Sequence, residues 1–155
     1  MRTDRCGDLR SDDVGRQVTL CGWVARRREH GEHLAFVDLR DRSGIIQVVV
    51  DGAADLRSEY VLQVTGEVRE RPADTANDSL ATGAIEVDAS EVTILSASEP
   101  PPFPLDERTD VDEVLRLRHR YVDLRRPRLQ KNLEVRAAVN SAVRTAMEEQ
   151  GFIEV

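Results

Sequence analysis

From Gln17 to Ser96 the chain alternates apolar and polar positions in short runs separated by turn residues. Val18, Leu20, Gly22 and Val24 alternate with Thr19, Cys21 and Trp23, the period of two that turns one strand face to a core. Leu34 to Leu39 forms a second strand, closed by the turn Asp41-Arg42-Ser43-Gly44. Ile45 to Val50 is a third, ended by Asp51-Gly52, and Val61 to Arg71 is a fourth, with Gly66 where a sharp bend could sit. Ile85 to Leu95 supplies a fifth. The polar stretch Ala53 to Glu59 leaves room for barely two helical turns. Five short strands, with the only helix-length gap after the third, predict an OB-fold, a small Greek-key barrel widely used for single-stranded nucleic acids.

The pattern then changes. Glu99-Pro100-Pro101-Pro102-Phe103-Pro104 holds four of the six prolines, a density that makes a stiff, extended spacer. Residues 97–112 are therefore predicted to be a hinge. Beyond the arginine-rich run Arg116 to Arg126, the residues Val135, Val139, Ala142, Val143, Ala146 and Met147 fall on one helical face. Pro127 suits the first turn and Gly151 the cap, so a helix from Arg128 to Gln150 would extend roughly 33 Å at about 1.5 Å per residue. Its apolar stripe needs a cover that Phe152 to Val155 cannot supply. The expected organisation is mainly β: an OB-fold barrel over 1–96, a Pro-rich hinge over 97–112, and a long helix that begins a second, truncated domain over 113–155.

Composition modifies this picture only slightly. A net charge of −7 argues against a broadly basic, nucleic-acid-binding surface, although binding depends on local clusters rather than on the sum. No apolar run reaches the length of about 18 residues that a membrane span needs. Met1 to Cys6 has no apolar stretch behind its charges, so no secretory signal is read there and a cytoplasmic location is expected. Cys6 and Cys21 lack metal or redox spacing and read as reduced thiols. His30 and His33 have no third ligand nearby in sequence and read as loop histidines, not a metal site. No glycine-rich loop is followed by Lys-Ser or Lys-Thr, so the chain has no P-loop.

The candidate chemistry lies on one barrel face. Phe36 has Ala35 and Val37 on the opposite face, Gln47 is a lone amide in an apolar strand, and Glu86 interrupts another. An outward aromatic on such a barrel can stack a base, while an amide and a carboxylate can read base edges. Arg26, Arg27 and Arg28, at the end of the first strand, could hold phosphates. The competing reading puts Phe36 in the core and leaves Gln47 and Glu86 merely on the solvent side of edge strands.

Three strings carry a family resemblance: QVTLCGWVARRREHGEHLAFVDLRDRSGIIQVVV from Gln17, RLRHRYVDLRRP from Arg116, and MEEQGFIEV from Met147. In that order they resemble bacterial aspartyl-tRNA synthetases over essentially the whole chain. RYVDLRRP is the most specific part, since related lysine enzymes differ after its core. The resemblance implies that Phe36 stacks on the middle anticodon base and that Arg28, Gln47 and Glu86 help recognise the anticodon. It also matches Arg71 to a family arginine near the hinge. A histidine in the loop holding His30 is associated in the family with relaxed enzymes that also charge the asparagine tRNA. The long helix resembles the motif that builds the family's homodimer interface. The parent enzyme would use ATP and Mg²⁺ to attach aspartate to tRNA(Asp), and through relaxed recognition to tRNA(Asn). The motifs that bind ATP come later in such proteins, so this chain, with no cofactor of its own, is expected to bind tRNA weakly and catalyse nothing. The segments 51–63 and 72–80 depart from the family pattern. Alternatives are the front end of an asparagine or lysine synthetase, or a free-standing OB-fold module that binds single-stranded RNA.

Overall fold

A computed structural model of the chain describes residues 1–30, 33–52 and 55–155, without the side chains of His30 and Ala73. It contains two compact units, Met1–Pro100 and Pro101–Val155.

In the first unit five strands close into a barrel: β1 (Gln17–His30), β2 (Leu34–Arg40), β3 (Ile45–Asp51), β4 (Val61–Glu70) and β5 (Ile85–Ser96). Their spatial order is β1-β2-β3-β5-β4, with β4 pairing back onto β1. All pairings are antiparallel except β3 with β5, which is parallel and sets Gln47 opposite Glu86. The fold is the OB barrel that the strand pattern predicts. Alternation supplies its core: Leu20, Val24, Val37, Leu39, Ile46, Val48, Leu62, Val64 and Val87 are all fully buried. Each such Leu, Ile or Val contributes about 1.5–3 kcal/mol relative to exposure. Gly66 lies where the register between β4 and β5 shifts, and a Cβ there would come within 2.2 Å of the Asp88 carbonyl oxygen. No other residue fits the bend.

The strand limits differ from those expected in informative ways. β1 runs on to His30, which pairs with Leu34 instead of lying in the following loop. A bulge between Val24 and Arg26 shifts the phase of the alternation, which hides the second half of β1 from a period-two reading. β4 ends at Glu70, so Arg71 follows the strand. Residues 55–60 contain no helix; Leu56 plugs the core there, and Glu59, at φ 65°, is held by two Arg40 hydrogen bonds of 2.9 and 3.0 Å. Asp41 organises the β2–β3 turn by accepting from Ser43 N–H, Ser43 Oγ, Gly44 N–H and Cys6 N–H at 2.6–3.3 Å.

The second unit holds α1 (Glu113–Arg118), α2 (Arg120–Asp123) and α3 (Pro127–Glu149). Asp112 caps α1 by accepting from Val114 and Leu115 N–H. Residues 101–112 are more than a spacer: Phe103 and Leu105 are buried against Val122, with Val111 and Leu115 partly buried beside them. α3 begins with Pro127 and ends in a Schellman motif, Phe152 N–H donating to Met147 O and Gly151 N–H to Glu148 O, with Gly151 at φ 82°. The apolar stripe read from the sequence is uncovered, since Val135, Val139, Val143 and Met147 are 41–56% exposed. No helix among the described residues is long and apolar enough to cross a membrane.

Candidate nucleic-acid interface

A groove of about 430 Å³ crosses the outer face of the barrel, lined by side chains from β1 to β5 and by the segment after β4. It collects Arg26, Arg28, Phe36, Gln47, Arg71 and Glu86. Six of the eight site residues expected from the sequence thus meet in one place. Phe36 is half-buried on the groove wall while its neighbours Ala35 and Val37 are fully buried in the opposite sense, so the competing core placement does not hold.

Register explains the gathering. In the β1–β2 ladder Arg28 stands opposite Phe36 and Arg26 opposite Asp38. In the β2–β3 ladder Phe36 faces Val49 and Asp38 faces Gln47. Successive outward positions of three strands therefore converge. Arg27 falls between them, opposite the core residue Val37, and is directed away from the groove. Its terminal nitrogen pairs with Glu29 at 3.1 Å, while its buried Nε has no hydrogen-bond partner among the described residues. The arginine triplet thus splits by strand alternation. The eighth residue, His30, ends β1, and its side chain lies outside the described residues.

A hydrogen-bonded chain runs along the groove floor. Arg28 Nη2 donates to Asp38 Oδ1 at 2.8 Å and to Gln47 Oε1 at 3.0 Å. Gln47 Nε2 donates to Glu86 Oε2 at 2.7 Å, and Arg69 donates from Nε to Glu86 Oε1 and from Nη1 to Asp88, both at 2.9 Å. Gln47 and Glu86 are only 6% and 3% exposed, so these partners satisfy groups that burial would otherwise penalise. Arg71, 9% exposed, donates from Nε to Ile85 O at 2.9 Å. Burial pushes its guanidinium below its ordinary value against the pull of Glu86 and Asp38, and an arginine so far above neutrality stays charged.

Four arginines, Arg26, Arg28, Arg69 and Arg71, line this groove against two carboxylates, Asp38 and Glu86. The net charge of the chain is negative, yet its groove is locally positive. Such a surface can stack a base on Phe36, present an amide and a carboxylate to base edges, and hold phosphates with the more exposed arginines. Asp38, Arg69, Thr75 and Asn77 also line it and were missed from the sequence. Period two could have found the first two, since Asp38 follows Phe36 by two residues and Arg69 precedes Arg71 by two. Thr75 and Asn77 sit on an irregular segment that carries no such signal.

Three arginines of the second unit make structural contacts. Arg116 and Arg120 bind the fully buried Asp123 at 2.9 and 2.5 Å, and Arg116 above all holds that carboxyl below its ordinary range. Arg126 donates to Asp106 O and Thr109 O at 2.8 and 3.0 Å. Among the described residues no three metal-ligating side chains converge.

Residues 18–95 match the family of OB-fold nucleic acid binding domains, and residues 112–155 match class II tRNA synthetases of the D, K and N type. The chain belongs to the OB-fold anticodon-binding family, in the setting of a class II tRNA synthetase. The aspartate–tRNA(Asp/Asn) ligase of Pseudarthrobacter chlorophenolicus is 49% identical over 158 residues, covering 100% of this chain and 26% of that protein. The ligase of the same name from Heliobacterium modesticaldum is 48% identical, covering 99% of this chain and 27% of its own length. The chain thus spans about a quarter of these relatives. In fold it is similar to the aspartyl-tRNA synthetase of Entamoeba histolytica, with a TM-score of 0.82 at 17% identity over 94% of this chain and 37% of that one. The asparaginyl-tRNA synthetase of Pyrococcus horikoshii gives 0.79 at 24% identity over 98% and 35%.

Proposed function

We propose that the barrel groove binds the anticodon loop of a tRNA, with Phe36 stacking on the middle base, Gln47 and Glu86 reading base edges, and Arg26 and Arg28 meeting the backbone. The observation that carries this reading is the convergence of an outward aromatic, a buried amide–carboxylate pair and four arginines in one groove. Titration of the chain with an anticodon stem-loop RNA is expected to give binding that weakens steeply with salt. Equal affinity for a perfect RNA duplex lacking a loop would overturn single-strand reading.

The whole protein is proposed to be a cytoplasmic aspartate–tRNA ligase using ATP and Mg²⁺, both bound outside residues 1–155, with residues 97–112 as its hinge and α3 as part of a homodimer interface. The names of the two ligases support tRNA(Asp) and tRNA(Asn) as joint substrates. The two anticodons differ only in their third base, cytosine against uracil, so stacking on Phe36 cannot separate them. Glu86 as an acceptor favours the cytosine amino group, and His30 is the residue proposed to relax that preference. Aminoacylation of both tRNAs by the whole enzyme, with and without His30→Leu, tests this. A large preference for tRNA(Asp) that the substitution leaves unaltered would sink the relaxed reading.

A further inference from the structure

We propose that Asp38 is an internal competitor for RNA phosphate: its carboxylate holds Arg28 in the groove, and Arg28 gains a two-pronged grip on the RNA backbone only by giving Asp38 up. This rests on the anticodon-loop reading above.

A guanidinium holds a phosphate best through two parallel N–H bonds, and it has two edges that can supply them. One edge pairs the Nε proton with a proton of Nη2. The other pairs a proton of Nη1 with the second proton of Nη2. Both Nη2 protons of Arg28 are committed, one to Asp38 Oδ1 at 2.8 Å and one to Gln47 Oε1 at 3.0 Å. Neither edge is complete, although the side chain is 42% exposed. Arg26 offers the contrast: it is exposed, stands opposite Asp38 in the β1–β2 ladder, and has no ion-pair partner among the described residues.

The two acceptors on Arg28 are not equally replaceable. Gln47 is buried, and its Nε2 donates to Glu86, which Arg69 holds by its other oxygen. That amide is fixed from behind and neutral. Asp38 is half-buried on the groove wall, and Arg28 is its ion-pair partner among the described residues. It is a charged acceptor of the same kind as a phosphate oxygen. A phosphate that displaces Asp38 takes the Nη2 proton it releases, which restores one edge while Arg28 keeps its hold on Gln47. With Asp38 in place the pair is neutral, so an approaching phosphate meets little net attraction there. Asp38 is therefore a brake on the affinity of the groove for RNA, released only when other contacts seat the strand.

The test is a double-mutant cycle on the whole chain, read by anisotropy of a labelled anticodon stem-loop RNA over a series of salt concentrations. Removing a negative charge tightens RNA binding by itself, so the deciding figure is the difference between backgrounds with and without Arg28. Asp38→Asn is expected to tighten binding by about fivefold or more when Arg28 is present, and to steepen the salt dependence by about one counterion. The same change in an Arg28→Gln chain is expected to give less than about a third of that gain, with no added counterion. Equal tightening in both backgrounds overturns the inference, since Asp38 would then repel the RNA directly and not through Arg28. Unchanged or weaker binding by Asp38→Asn overturns it as well, and makes Asp38 a support for Arg28. Asp38→Ser gives the same comparison should a thermal melt show the asparagine variant unfolded. Failure of all these proteins to bind the stem-loop would overturn the anticodon-loop reading itself, and this inference with it.

Discussion

Phe36→Ala separates stacking from packing more sharply than any other single change. Phe36 lines the groove, while Ala35 and Val37 on either side are fully buried in the barrel. Loss of a stacked base costs about 1–3 kcal/mol, or roughly five- to 150-fold in Kd. The cost to stability should be much smaller than the roughly 3–5 kcal/mol typical of a core Phe→Ala change, because the outward ring leaves open groove instead of a sealed cavity. A loss of about 1 kcal/mol, near 4–8 °C in Tm for a domain of this size, is the expected upper bound. Fluorescence anisotropy with a labelled anticodon stem-loop gives the Kd, and a thermal melt of each protein gives the stability. A folded variant that binds like the unmodified chain would refute stacking. A melting loss of core size would refute the outward placement of the ring.

Arg26→Ala should weaken binding of all RNA sequences alike and flatten the salt dependence by about one counterion, whereas Arg27→Ala, off the groove, should leave the slope unchanged; equal effects would contradict the split of the triplet. Burial alone would raise the Asp41 carboxyl, but the hydrogen bonds from Ser43, Cys6 and Gly44 outweigh it and hold the group below the ordinary carboxylate range. A carboxyl depressed in the folded state adds stability above its unfolded value and loses it as pH falls through its folded value. Asp41→Asn should therefore cost about 1–3 kcal/mol near neutrality, with the gap to the unmodified chain closing in acid; a pH-independent gap in denaturant melts would contradict the ionic role. Burial, followed by the nearby Asp41 charge, pushes the Cys6 thiol far up. Cys6 should thus resist an aromatic disulfide reagent at mildly alkaline pH until the chain is unfolded, and its rapid reaction in the native protein would refute the buried placement.

Alternation made the barrel legible, because burying every second residue leaves the same mark in the sequence as in the fold. Phe36, Gln47 and Glu86 were legible as exceptions to that mark: an aromatic out of phase with its buried neighbours, and two polar residues among apolar ones. Arg27 was misplaced because a charge cluster shows composition but not direction, and direction here follows the phase shift at the bulge after Val24. Period two could place Asp38 and Arg69 on the groove face, but the partners they meet there, Asp38 opposite Gln47 and Arg69 opposite Glu86, come from cross-strand register. The prolines of residues 101–112 mark extended backbone, and extended backbone can still bury Phe103 and Leu105, which a composition reading does not show.

The parallel pairing of β3 with β5 also sets a clock on synthesis. Gln47 and Glu86 meet across 39 residues of chain, with β4 intervening in the sequence. A ribosome that has released β1 to β3 has already exposed Arg28, Phe36 and Gln47, but not the wall that makes them a groove. Closing so long a loop is an entropic cost met late, and contacts this distant in sequence are among the slower to form. The growing chain emerges among ribosomal and transfer RNA, yet it holds no finished reader until β5 arrives. On the proposed reading, affinity for the loop is expected only once the barrel closes, and a partly made chain is not expected to compete with completed copies for it.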